Sequence, residues 1–168
     1  MTVSFFVRKY EENDREQCRS LWRELTEWHR EIYQDPTIGG EHPEDYFDKH
    51  LAKVGLEQLW VAEHNAKVVG LVGLMSGLYG EVEIEPLIVS RAYRGKGVGK
   101  QLIQTVIAEA RRRGLHSLNV SPVARNVGTL KFLYKLGFKN LGQIQLFIDF
   151  TDHKWKDGPE LFGCKFKF

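Results

Sequence analysis

An α/β fold built on a mixed sheet is what this chain predicts, and three observations carry that expectation. Helical stripes and strand-like alternations interleave along 168 residues. A short polar turn joins two of the strands as a hairpin. One later strand passes through a glycine-rich turn straight into an amphipathic helix.

Taken in order, residues 2–9 alternate as a first strand. A helix follows, capped near Asn13 or Asp14, with the apolar stripe Cys18, Leu21, Trp22, Leu25, Trp28 and Ile32 at helical spacing. Pro36, Gly39 and Gly40 end it, and a second short helix starts near Pro43 and turns Tyr46, Phe47 and Leu51 inward. Residues 58–63 and 67–74 read as strands joined by His64-Asn65-Ala66, and residues 80–90 as another. Leu102, Ile103, Val106, Ile107 and Ala110 mark a helix that Gly114 stops. Residues 115–120 read as a buried strand, 127–136 as a helix ended by Gly137, and 142–150 as a late strand. The tail 151–168 carries Trp155, Phe162, Phe166 and Phe168, and fits a strand, a clamp on the fold or an arm toward a partner. With no repeat and no low-complexity linker, residues 1–168 read as one domain with 151–168 as a C-terminal extension.

Composition narrows the function classes. Apolar residues make up 42% and charged residues 27%, near globular averages, so disorder, collagen and coiled coil are excluded. No apolar run approaches the roughly 20 residues of a membrane helix, so no membrane partner is expected. No secretory signal is visible, and two cysteines, Cys18 and Cys164, make neither a disulfide framework nor a zinc site. A cytoplasmic protein without a metal is the expectation.

The net charge of +2 hides an asymmetry. Between Glu27 and Asp48 stand seven acids and one base, Arg30; between Arg91 and Lys139 stand eleven Lys or Arg and one acid, Glu109. A basic half meets phosphate and an acidic patch meets a cation, unless both are simply solvated faces.

The sharpest motif is Ser90-Arg91-Ala92-Tyr93-Arg94-Gly95-Lys96-Gly97-Val98-Gly99-Lys100, strand into helix. Glycines at 95, 97 and 99 let backbone N–H groups converge at the positive end of the helix, where a pyrophosphate would sit among Arg94, Lys96 and Lys100. A dinucleotide fingerprint needs glycine at 100, and a Walker loop needs glycine at 94 and Ser or Thr at 101; Lys100, Arg94 and Gln101 stand there instead.

With Arg94, Gly95, Gly97 and Gly99, and with residues 126–138 (Asn-Val-Gly-Thr-Leu-Lys-Phe-Leu-Tyr-Lys-Leu-Gly-Phe) at the expected distance downstream, the chain resembles the GNAT superfamily of N-acetyltransferases. The resemblance implies a mostly antiparallel central sheet with a V-shaped splay between its middle strands and helices on both faces. It implies acetyl-CoA as cosubstrate, its pyrophosphate held by the amides of Arg94, Gly95, Lys96, Gly97, Val98, Gly99 and Lys100. Leu87, Ile88 and Val89 match the strand along which pantetheine lies, Asn126 matches the helix-start Asn near the CoA arm, and Tyr134 matches the general acid.

Pro86 cannot donate to a ladder, so a bulge is expected there, aiming the N–H of Leu87 or Ile88 at the thioester oxygen. Glu81, Glu83 and Glu85 share a strand face by period 2. Alkylamines with a pKa of about 10 arrive protonated, and a carboxylate can take that proton. Glu85, nearest the bulge, is the first candidate base and Glu83 the second; a solvated acidic face is the competing reading.

The function this implies is transfer of acetyl from acetyl-CoA to a primary amine in a ternary complex. The acidic stretch suggests a cationic acceptor such as a polyamine, an aminoglycoside-like amine or a peptide amine. A homodimer is compatible with the resemblance. A non-catalytic acyl-CoA-binding or protein-interaction module would bind CoA without turnover. A nucleic-acid-binding regulator would bind with a steep salt dependence, but the basic half lacks interleaved aromatics, and no nucleic acid is expected.

Overall fold

Four strands in the order β1-β2-β3-β4 make an antiparallel sheet: β1 (Phe6–Lys9), β2 (Leu59–His64), β3 (Lys67–Ser76) and β4 (Val82–Val89). The structure is a computed structural model that describes residues 4–77 and 80–168, so residues 2 and 3 of the expected first strand lie outside the described residues. The chain divides into two compact units, Met1–Ser121 and Pro122–Phe168.

In the first unit, α1 (Arg15–Tyr33) and α2 (Asp45–Val54) pack on one face of the sheet. Their buried side chains Cys18, Leu21, Phe47 and Leu51 form one core with Leu71 of β3 and Ile88 of β4. The other face belongs to α3 (Val98–Arg112). A Cβ on Gly70, one residue from Leu71 and so on the opposite face, would lie 2.9 Å from Leu102 and 3.0 Å from Val98. Each fully buried aliphatic here contributes about 1.5–3 kcal/mol relative to exposure. The β2–β3 turn holds Asn65 at φ 50° and Ala66 at φ 58°, the paired positive values of a type I′ hairpin. Arg8 ties the edge strand down, donating to both oxygens of Asp14 at 2.7 and 2.8 Å and to Glu63 at 2.8 Å. Burial pushes the Asp14 carboxyl up, but Arg8 and the Glu11 N–H outweigh that and hold it below its usual range.

Opposite Gly73, β4 carries an extra residue. Leu74 faces Ile84 and Val72 faces Leu87, so three steps of β4 span two of β3, and Glu85 and Pro86 form the bulge. A Cβ at position 73 would come within 2.4 Å of the Glu85 carbonyl oxygen, which is why a glycine stands there.

In the second unit, α4 (Val127–Lys135) buries Leu133, and β5 (Asp157–Leu161) pairs with β6 (Cys164–Lys167) in a hairpin. The tail thus forms strands, one of the readings open for it. Trp155 donates to Asp149 at 2.6 Å and meets Phe147 edge-on at 5.2 Å.

Two expected strands are corrected. Residues 115–120 are not a buried strand: only Asn119 joins the sheet, donating to Val82 O at 2.9 Å and accepting from Ile84 N–H at 2.8 Å, as a parallel bridge to Glu83. Pairing stops there because the next donor in register on that edge would be Pro86, which has no N–H. Residues 142–150 enter no ladder among the described residues, and Leu146, Phe147, Ile148 and Phe150 are exposed. Their alternation describes a strand-shaped segment, but a strand also needs a partner edge, which periodicity does not supply. Among the described residues no helix is long and apolar enough to cross a membrane.

Candidate active site

The site grows from the C-terminal half of β4 into α3. After a 3₁₀ turn at Arg91–Tyr93 the chain passes Gly95 at φ 74° and Gly97 at φ 91°, values a side chain at these positions would strain. Gly97 caps α3, and its carbonyl accepts the first helical bond, from Gln101 N–H at 3.1 Å. The amides of the first turn, Val98, Gly99 and Lys100, therefore have no partner within the helix. Val98 is buried and pins the turn to the core, while Arg94, Gly95, Lys96, Gly97 and Lys100 are exposed. Lys96 Nζ lies 5.1 Å from the Tyr93 ring. Arg94 donates to Val89 O at 3.1 Å and stacks its guanidinium 5.1 Å from Trp28 of α1. A cleft of about 530 Å³ opens beside it, lined by Glu24, Trp28, Glu31, Ser90, Arg91 and Arg94, among others.

Past the bulge the outer edge of β4 differs from the edge before it. Ser90 donates inward to Val69 O at 3.0 Å, and Arg94 reaches Val89 O from outside. By the alternation of an antiparallel ladder, Leu87 and Val89 present N–H and C=O outward while Ile88 faces inward, toward Leu71. Of the two expected donors, the outward one is that of Leu87. Glu83 stands opposite Met75 on β3, and Glu85 lies in the bulge with its side chain 45% exposed. Glu81 precedes the strand, its carbonyl accepting from Gly77 N–H at 2.7 Å.

Sequence reasoning missed His50. It sits on the inner face of α2 beside Phe47 and Leu51, with its side chain 5% exposed, and its Nε2 lies 3.1 Å from the Glu85 carbonyl oxygen. The one available signal was a histidine in register with apolar residues on a short helix.

The acidic stretch is largely spent inside the fold. Asp48 pairs with Arg15 and Arg19, Asp45 with Arg19, Glu44 with Arg23, Glu27 with Arg30 and Glu31 with Arg91. The Arg23 guanidinium holds the Glu44 carboxyl down to about 2. Arg15, Arg19 and Arg23 lie just N-terminal to Glu27, on the same helix.

The second unit carries the other two candidates. Asn126 caps α4, its side-chain oxygen accepting from Thr129 N–H at 3.2 Å. Tyr134 is 58% exposed, so it is not a core tyrosine of its helix, and Lys139 Nζ lies 5.5 Å from its ring.

A strand with an outward-facing edge that leads into a glycine turn on a helix N-terminus is the arrangement the resemblance implied, and the bulge is the one expected from Pro86. Over residues 22–138 the chain matches the Acetyltransferase (GNAT) family. The chain belongs to that family.

This GNAT chain is 32% identical over 90 residues to N-acetyltransferase 8B of Rattus norvegicus, a match that takes in 50% of the chain and 40% of the relative. It thus spans less than half the length of that curated relative. Among solved structures, an acetyltransferase of Trypanosoma brucei superposes with a TM-score of 0.61 at 25% identity, covering 87% of this chain and 99% of the other. AAC(6')-Iy in complex with the bisubstrate analogue CoA-S-monomethyl-acetylneamine gives a TM-score of 0.63 over 87% of this chain and 98% of that one. At 18% identity this second likeness speaks for the fold alone.

Proposed function

We propose that this GNAT chain is an acetyl-CoA-dependent N-acetyltransferase that passes the acetyl group directly to a primary amine in a ternary complex. The observation that carries the reading is the bulged strand β4. One strand offers a half-exposed carboxylate at Glu85, then an outward N–H at Leu87, then the glycine turn with its free helix amides.

In this reading Arg94, Gly95, Lys96, Gly97, Val98, Gly99 and Lys100 take the CoA pyrophosphate on backbone amides, with the cationic side chains adding charge. Pantetheine extends along Leu87, Ile88 and Val89. The Leu87 N–H meets the thioester oxygen and stabilises the negative charge that develops there. The acceptor arrives as an ammonium. Glu85, with Glu83 one alternate position away, takes its proton, and the neutral nitrogen attacks the thioester carbonyl. Collapse of the tetrahedral intermediate expels CoA thiolate, which accepts a hydrogen bond or proton from Tyr134, while Asn126 contacts the CoA arm. A thiol pKa of about 8.5 against a phenol pKa of about 10 makes that transfer mildly uphill, within reach of a positioned donor.

Five of the seven acids between Glu27 and Asp48 are ion-paired, which supports Glu83 and Glu85 more than that stretch as the acids that meet a cationic acceptor. That supports a primary amine recognised at its reacting end more than a polycation recognised along its length.

Calorimetric titration with acetyl-CoA, followed by CoA release across primary amines, polyamines, aminoglycosides and peptides, tests the proposal. Micromolar binding with amine-dependent release is expected. Binding with no release from any amine would favour a non-catalytic acyl-CoA module, and absence of binding would overturn the role given to the glycine turn.

A further inference from the structure

The Glu85 carbonyl is an acceptor only, so the 3.1 Å contact from His50 requires that Nε2 carry the proton and donate. In the neutral ring Nδ1 is then a bare lone pair, and it faces the Glu85 side chain, 3.9 Å from Oε1. That spacing is about 1 Å longer than a usual hydrogen bond, and rotation of the half-exposed Glu85 side chain can close the gap. A proton arriving on Glu85 supplies the missing hydrogen.

We infer that His50 is the positioning residue for Glu85: its Nε2–H holds the bulge carbonyl, and its Nδ1 accepts a hydrogen bond from the Glu85 carboxyl once that group has taken a proton. The inference rests on the reading of Glu85 as the base. No proton need pass to the ring. The substrate ammonium loses its proton to a Glu85 oxygen, the nitrogen keeps the electron pair, and the new O–H points at Nδ1 rather than at water.

The surroundings keep the ring in the required state. Trp22 of α1 stacks on it at 5.2 Å, Glu85 faces it from β4, and Lys53 acts on it from its own helix. Burial first, with Lys53 adding to it, holds the imidazole below its usual range against the pull of Glu85. His50 is therefore neutral near pH 7. As pH falls through its lowered pKa the ring charges, and Nδ1 becomes a donor that can no longer accept from the Glu85 carboxyl.

Nitrogen-15 NMR of the full chain reads the pair without any acceptor. His50 is expected as the Nε2–H tautomer with a midpoint below about 6.5, and Glu85→Gln is expected to lower that midpoint by about one unit by removing the carboxylate. An Nδ1–H tautomer, or a midpoint unmoved in Glu85→Gln, overturns the inference. With the best amine of the panel above held at saturation, kcat/KM for acetyl-CoA is expected to fall on the acid side with two protonations in the natural protein. His50→Gln keeps a donor for the Glu85 carbonyl but cannot titrate, so it is expected to fall with one and to stay within about tenfold at neutral pH. A two-proton acid limb in His50→Gln overturns the inference. A full-rate Glu85→Gln instead removes the base assignment beneath it while leaving the tautomer as found, so the two failures are distinguishable.

Discussion

Leu71 and Leu146 are the same residue in opposite circumstances. Leu71, on β3, is fully buried between paired strands and under two helices, in a run that is apolar on both faces, while Leu146 is 66% exposed in a segment that alternates. The contrast extends to the units around them. In Met1–Ser121 a continuous core fixes β4, and through it Glu85, His50 and the glycine turn. In Pro122–Phe168 the buried apolar side chain of α4 is Leu133, and Asn126 and Tyr134 are positioned by a helix cap and a short helix. An alternating pattern therefore predicts the shape of a segment, while the edge that pairs with it decides whether it carries energy.

The largest expected effect breaks the chemistry on the well-anchored side. Glu85→Gln is expected to lower kcat by about 10²–10⁴, whereas Tyr134→Phe should cost about tenfold, because CoA thiolate already leaves readily; steady-state CoA release measures both. A greater loss for Tyr134→Phe would shift the weight of catalysis to the second unit. Next, Leu71→Ala is expected to destabilise by about 2–5 kcal/mol in urea melts, by lost burial and a cavity.

The anchor of β1 gives a pH test of the same core. The folded-state pKa of Asp14 is depressed, so its stabilisation is present above its ordinary value and lost as pH falls through the folded value. Stability should decline below about pH 4, and Asp14→Asn should remove that part of the slope while costing about 2 kcal/mol at neutral pH. Urea melts between pH 2.5 and 7 would show it, and an unchanged slope would remove Asp14 from the account. Smallest of all, Leu146→Ala should stay within about 0.5 kcal/mol by the same melts. A loss matching that of Leu71→Ala would mean the 142–150 segment is covered, and the comparison would fail.

Much of this was legible in the sequence because it is local. The stripe from Cys18 to Ile32, the His64-Asn65-Ala66 turn and the bulge at Pro86 each follow from spacing or from one residue's backbone chemistry. What was hidden is long-range. Gly73 gives no hint that the Glu85 carbonyl lies where its Cβ would stand, and His50 touches a residue 35 positions away. The acids between Glu27 and Asp48 looked like a cation site because all their arginine partners except Arg30 lie outside that stretch. Residues 142–150 failed for the reason Leu146 illustrates.

Those arginine pairs also bear on how quickly an acceptor finds the protein. A surface whose charges are matched at contact distance projects dipoles, and dipolar fields die away faster than the Debye length of about 8 Å would require. A cationic amine approaching α1 and α2 meets no long-range pull, so its arrival is governed by diffusion and orientation, and encounter rates should vary little with ionic strength. In the proposed mechanism, recognition is then postponed to the last few ångströms, at the carboxylates of β4.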